Sequence, residues 1–215
     1  GKVVDSATLE RIGKFGRYRD VDGDGIPYRT IPGDGMPAFF CRGSGHNEWA
    51  QYSERPEDYQ KNVDRLARKF ETARNWMPAP VVEINRKASV GIMAYGTTHW
   101  AITESRDQLS AEADLQTSYY RVCAYPFRSA LASFIERHER VYVVEQNRDA
   151  QMLSLMKLDL PVELTGKLLS VLHYAGNPLD ARTVTENILI QEGYQVRKAN
   201  AEPDVKPKNA GVGGE

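Results

Sequence analysis

Val90-Gly91-Ile92-Met93-Ala94-Tyr95 is a short apolar run, closed by Gly96 and followed by Thr97-Thr98. A run of this length bounded by turn chemistry predicts a strand buried on both faces. Gly96 turns the chain, and Thr97 or Thr98 can cap a helix reaching about residue 109. The pattern repeats downstream. Residues 119–123 predict a second strand, weakened by Arg121, and Pro126 opens a predicted helix to about residue 137. Val141-Tyr142-Val143-Val144-Glu145 is the clearest strand. Residues 150–158 predict a helix, 168–172 a strand, and 180–191 a last helix capped by Asp180. This alternation implies right-handed crossovers and a three-layer α/β fold on a mostly parallel sheet of about five strands.

Upstream, Tyr59, Val63, Leu66, Phe70, Ala73 and Met77 follow helical steps from Pro56 to Pro78. They predict an apolar face packed inward, with Lys61, Asp64, Arg65, Arg68 and Glu71 on a solvated face. Residues 1–55 show no lasting helical or strand period. Their scattered aromatics, such as Tyr18, Phe39, Trp49 and Tyr52, predict a long ordered loop, a kind of segment that is usually functional. The expected organisation is a loop or linker region over 1–55, an α/β domain over 56–195 and a mobile tail over 196–215.

The totals narrow the function. In 215 residues, 28 basic and 29 acidic side chains give a net charge of -1, which argues against a nucleic-acid binder. No stretch approaches the ~18 apolar residues of a membrane span. Residues 1–15 show no apolar leader segment. Two distant cysteines, Cys41 and Cys123, without a C-x-x-C, suit a reduced, cytoplasmic protein that holds no zinc or iron–sulfur centre of the usual spacing.

The densest charge lies in Asp20-Val21-Asp22-Gly23-Asp24-Gly25-Ile26. Asp20, Asp22 and Asp24 match the first half of a calcium loop, but its twelfth position is Ile31, not Glu. Three readings stand: a hard-cation site on these aspartates, a loop in which they pair with Arg17, Arg19 and Arg29, or contact with a partner subunit. Gly23-Asp24-Gly25 and Gly33-Asp34-Gly35 each open like a thiamine-diphosphate motif. No Asn-Asn follows to complete it, which argues against a self-contained diphosphate site. Gly45-His46-Asn47-Glu48 offers an imidazole and a carboxylate in one loop, for acid–base work or simply for local hydrogen bonding. Gly96-Thr97-Thr98 at a strand end could hold an anion or merely cap a helix, and Glu145-Gln146-Asn147 would line the same crevice.

Several segments together resemble one family. They are Gly16-Arg17-Tyr18-Arg19-Asp20 through Thr30, Gly45-His46-Asn47-Glu48, Asn62-Val63-Asp64-Arg65-Leu66-Ala67-Arg68-Lys69, Gly96-Thr97-Thr98 and Val143-Val144-Glu145-Gln146-Asn147. The chain resembles the alpha subunit of 2-oxoacid:ferredoxin oxidoreductases of the 2-oxoglutarate synthase type. That resemblance implies oxidative decarboxylation of a 2-oxoacid to an acyl-CoA. It implies thiamine diphosphate, Mg2+, an iron–sulfur cluster and coenzyme A in the whole complex, none of them held by this chain alone. The partners implied are a beta subunit carrying thiamine and cluster, further N-terminal domains of the alpha subunit, and ferredoxin. The matching part would be the domain similar to the transketolase C-terminal domain, inactive alone and structural or interfacial in role. Arg17, Arg19, Arg29, His46, Asn47, Glu48, Thr97 and Thr98 are then the expected anion or interface residues. The alternative is a small calcium-binding or interaction module with a flavodoxin-like fold.

Overall fold

The computed structural model describes residues 1–196. The expected tail, apart from Val196 itself reached by the core, lies outside the described residues. Contacts divide the chain into two compact units: Gly1–Val81 with Val122–Phe134, and Val82–Arg121 with the residues after Phe134.

The second unit carries the alternating pattern. β2 (Val90–Tyr95), β4 (Arg140–Glu145) and β5 (Leu168–Leu172) are parallel neighbours, with Ile92 beside Tyr142 and Tyr142 beside Leu169. With β1 (Val81–Glu83) and β3 (Thr117–Val122) the sheet has the order β1-β3-β2-β4-β5. Val90, Ile92, Ala94, Tyr142 and Val144 share one cluster with Ile102 and Leu109 of α3 (Thr98–Ala113) and Val184 and Ile188 of α7 (Ala181–Gln191). Alternation turns Met93, Val141 and Val143 to the opposite face, on the side where α5 (Gln151–Asp159) meets β4. Both faces are therefore covered, and the central strands read as unbroken apolar runs for that reason. Asp180 caps α7 by accepting from the Thr183 amide, as its position predicts.

Three short elements escape periodicity: α1 (Ser6–Ile12), the three-residue β1 and α6 (Val162–Thr165). The region 1–55 is thus not all loop. Asp5 accepts from the Thr8 amide and starts α1 there. The helix expected from Pro126 begins later, as α4 (Ala130–Glu136). Segment 122–134 belongs to the first unit, where Arg74 donates to the Phe127 carbonyl at 2.6 Å and Arg128 to the Met77 carbonyl at 2.8 Å.

α2 (Pro56–Arg74) forms where predicted, and Lys61, Asp64, Arg68 and Glu71 are exposed as expected, but its apolar face is exposed too. Tyr59 is 68 % exposed and Phe70 53 %, and Val63 and Leu66 are exposed beside them. The residue α2 buries is Arg65, from the face expected in solvent. α2 also falls in the first unit, so the expected boundary at Pro56 is not where contacts divide the chain.

Candidate functional site

The charged loop lies on α2. Asp20 is the hinge of the arrangement. Its Oδ1 accepts from the Gly25 amide at 3.0 Å, closing the loop on itself. Its Oδ2 accepts from Nε and an Nη of Arg68, both at 3.2 Å, binding loop to helix. Arg65 donates to the Gly25 carbonyl at 3.2 Å and Thr72 to the Asp24 carbonyl at 2.6 Å. Arg65, Arg68 and Thr72 stand at three- and four-residue steps, so they form one polar stripe that reads the loop backbone.

The three aspartates do not converge on one point. Asp22 and Asp24 share the ammonium of Lys2, at 2.6 and 2.5 Å, and Asp22 also meets Arg11 at 3.4 Å. Lys2 holds the carboxyl of Asp22 below its ordinary range. Asp24 is likewise lowered: burial pulls its carboxyl upward, but Lys2 and the Ile26 amide outweigh that. Among the described residues no three metal-ligating side chains come together. In this arrangement the carboxylate lone pairs of the loop face cations and backbone amides. The pairing with cations is as expected in kind, but the partners are Lys2, Arg11 and Arg68 rather than Arg17, Arg19 and Arg29.

The three arginines have other places. Arg19 donates to the carbonyls of Ile12 and Lys14, each at 3.1 Å, and so caps the end of α1. Arg17 lies over the rings of Tyr18 and Phe39. Its Nε is buried with no hydrogen-bond partner, a property shared by Arg65 Nε. Arg29 is exposed, and its backbone pairs with the N-terminal segment: Arg29 N donates to Lys2 O and Val4 N to Arg29 O, both at 2.9 Å.

Two clefts flank the Tyr18 and Arg65 side chains, both within the first unit. The polar one, of about 390 Å3, has Asp20, Glu48, Asp58, Lys61, Arg65 and Arg68 in its walls, a mixed-charge surface. His46 sits nearby, its ring tilted against that of Tyr18 with centroids 4.1 Å apart and with Nδ1 at 3.0 Å from the Ser44 carbonyl. Asn47 Oδ1 accepts from the Trp49 and Gln51 amides, an Asx turn. His46 and Asn47 therefore shape the loop, while the exposed Glu48 is part of the cleft wall. The second cleft, of about 400 Å3, is lined by Arg17, Arg29, Arg65 and Lys69 with Ile26 and Leu66 among its apolar walls.

In the second unit, the strand order reverses between β2 and β4, which is where an open α/β sheet usually receives a ligand. Here protein groups bond one another at the strand ends. Gln146 donates to Thr98 Oγ1 at 3.0 Å, joining the two strand ends. Glu145 is fully buried and accepts from the Met152 and Leu153 amides at 2.7 and 3.0 Å, capping α5. Thr98 is thus engaged, and Thr97 takes the N-cap place of α3 without a side-chain capping bond. Arg65, Arg68, Lys69 and Lys2 are not among the residues expected at the site. Arg65 and Arg68 carry a signal only as part of a polar stripe on α2 whose spacing fits the loop.

No family model and no curated protein sequence matches the chain. Among solved structures, the chain is similar to 2-oxoglutarate:ferredoxin oxidoreductase from Magnetococcus marinus, solved with 2-oxoglutarate, coenzyme A and succinyl-CoA bound. The match has a TM-score of 0.74 and 20 % identity and covers 88 % of this chain and 32 % of that one. The alpha chain of a probable 2-oxoacid ferredoxin oxidoreductase from Thermoplasma acidophilum matches at a TM-score of 0.35 and 16 % identity, over 54 % of this chain and 98 % of that one. The chain thus shares the fold of the Magnetococcus marinus protein and spans about a third of its length.

Proposed function

We propose that this chain works as the C-terminal, transketolase-like domain of the alpha subunit in a 2-oxoacid:ferredoxin oxidoreductase. The observation that supports this best is the exposed apolar face of α2. An isolated globular domain gains by burying Tyr59, Val63, Leu66 and Phe70, and here all four are exposed along one helix face. Such a stripe suits a helix whose apolar side is meant for another domain or subunit, while its polar side holds the aspartate loop. The fold shared with the Magnetococcus marinus enzyme and the family-like loop wording point to the same class.

On this reading the complex oxidatively decarboxylates 2-oxoglutarate or a related 2-oxoacid to its acyl-CoA. Thiamine diphosphate, Mg2+ and the iron–sulfur cluster belong to other domains and to the beta subunit, and ferredoxin takes the electrons. The chain contributes packing and a charged loop beside anionic ligands, with Arg17 and Arg29 as its candidate contacts. It is inactive alone, and it is cytoplasmic with the rest of the complex. Among the described residues no helix is long and apolar enough to cross a membrane.

The experiment is a turnover assay with 2-oxoglutarate, coenzyme A, thiamine diphosphate, Mg2+ and an electron acceptor. Activity is expected only when the chain is co-expressed with the coding sequence that flanks it and with the neighbouring subunit. Turnover by the chain alone, or no turnover by the co-expressed complex with any 2-oxoacid, overturns the reading.

A further inference from the structure

α2 carries its apolar residues on a narrow seam. Tyr59, Val63, Leu66, Phe70 and Ala73 follow steps of four, three, four and three, and Met77 continues them just past the helix. Two apolar positions in seven mark a seam for another helix, whereas a helix laid on a sheet or in a globular core needs a wider stripe with a third. The positions beside the seam within α2 are Gln60, Asn62, Ala67, Lys69 and Arg74, none of them a large apolar residue. The opposite side of the helix is already taken, because Arg65, Arg68 and Thr72 hold the aspartate loop. The loop thus grips the back of α2, and Tyr59, Val63, Leu66 and Phe70 stay exposed along its front. Charge says what kind of helix fits there. The flanking positions carry Lys69 and Arg74 and no carboxylate. Arg74 is held by Glu71 of its own helix at 3.1 Å, while Lys69 is exposed. Two copies of α2 side by side would set cations against cations, a like-charge arrangement that destabilises helix pairs. A partner helix with carboxylates beside its own apolar seam fits both the spacing and the charge.

We propose that α2 is one half of a left-handed helix pair, and that the other half is an amphipathic helix of a neighbouring subunit whose apolar seam is flanked by acidic residues. The two helices would cross at about 20°, with Val63, Leu66 and Phe70 inserted between partner side chains. Lys69 would meet a partner carboxylate at the rim of the seam, where such a pair sets the choice of partner more than the strength of binding. This names the element that covers the face which the oxidoreductase reading leaves to another domain or subunit, and it rests on that reading for the source of the partner.

Fluorescence anisotropy on the 215-residue chain tests the pairing with two synthetic peptides of about three heptads, used below the concentration at which they self-associate. Both carry leucine at every seam position, and the flanks are all glutamate in one and all lysine in the other. The acidic peptide is expected to bind with a dissociation constant on the order of 10 μM and to gain helix by circular dichroism, and the basic one to bind about fivefold more weakly. Lys69→Glu is expected to remove or reverse that preference. Val63→Glu is expected to weaken the acidic peptide by about tenfold or more while the melting temperature holds. Leu158→Glu, at an exposed apolar residue of the second unit, is expected to change nothing. Binding by neither peptide, equal binding by both, binding without a gain of helix, or equal weakening by Leu158→Glu overturns the pairing. A chain that sediments as a dimer broken by Val63→Glu overturns it too, since a second copy then occupies the seam. A co-expressed complex that turns over while both peptides fail leaves the oxidoreductase reading standing, and selective peptide binding beside an inactive complex leaves the seam standing.

Discussion

The backbone of Gly25 lies against that of Lys69, so close that a β-carbon at residue 25 would stand 2.3 Å from the Lys69 amide nitrogen and 2.6 Å from the Arg65 carbonyl oxygen. Gly25 also has φ +76, a left-handed conformation that side-chain-bearing residues resist. The aspartate loop is therefore fitted onto α2 by backbone contact, with the Asp20–Arg68 pair and the Arg65 and Thr72 bonds around it.

Gly25→Ala is expected to destabilise the first unit by about 2–5 kcal/mol, strain and overpacking together. Gly23 has the same φ of +76 but nothing within 4 Å of its would-be β-carbon. Gly23→Ala then costs only the conformational term, about 1–2 kcal/mol. Urea denaturation of both variants checks this, and equal losses would show that the loop does not bear on the helix.

Glu145 is expected to behave as a structural group, although its motif sits at the strand end where ligands usually bind. Its carboxylate holds the Met152 and Leu153 amides and the Asn147 side chain. Glu145→Ala leaves buried donors unpaired and is expected to cost about 2–4 kcal/mol. Faster amide exchange at Met152 and Leu153 in the variant would locate the loss at the start of α5. A variant with unchanged stability would contradict the capping role.

The pH dependence of stability follows from Glu192. Burial alone would raise its carboxyl pKa, yet bonds from Arg140 and from the Tyr142 hydroxyl lower it below the ordinary 4.5. A depressed folded value means the unfolded state takes up the proton first. The contribution is therefore whole above about pH 4.5 and fades as pH falls through the folded value. The Arg140 side chain is 39 % exposed, so solvent screens the pair, and Glu192→Gln is expected to cost about 1–2 kcal/mol at pH 7. Unfolding free energies from pH 7 to pH 3 should show the gap between wild type and variant closing in acid. A constant gap would mean that packing, not charge, is lost.

What the sequence disclosed depended on which force shaped each segment. β2 is buried on both faces, so its apolar run stated its own boundaries, and Asp180 announced α7 by capping chemistry. α1 buries only Ile12, and α6 buries nothing, so neither leaves a periodic trace. α2 shows the deeper limit. Its period was legible, but period cannot say which face meets the chain's own loop. That depended on Arg65 and Arg68 reaching residues more than 40 positions away, Gly25 excepted at 40. The same blindness assigned the aspartates to nearby arginines, when Lys2 and Arg68 hold them.

The exposed stripe of α2 gives the most direct test of an interface. Val63 and Phe70 are 47 % and 53 % exposed, so charging them removes little burial within the chain. Val63→Glu and Phe70→Glu are each expected to change the chain's own stability by no more than about 0.5 kcal/mol. Placing a carboxylate in an apolar interface core, however, leaves an unpaired buried charge, which costs several kcal/mol on association. The same variants should therefore lose co-purification with the flanking domains and the neighbouring subunit by about a hundredfold or more in affinity. Thermal melting of the chain alone beside affinity measurements on the co-expressed complex separates the two effects. If melting falls sharply, the stripe is packed within this chain. If both melting and assembly are untouched, the stripe is plain surface, and α2 presents no docking face.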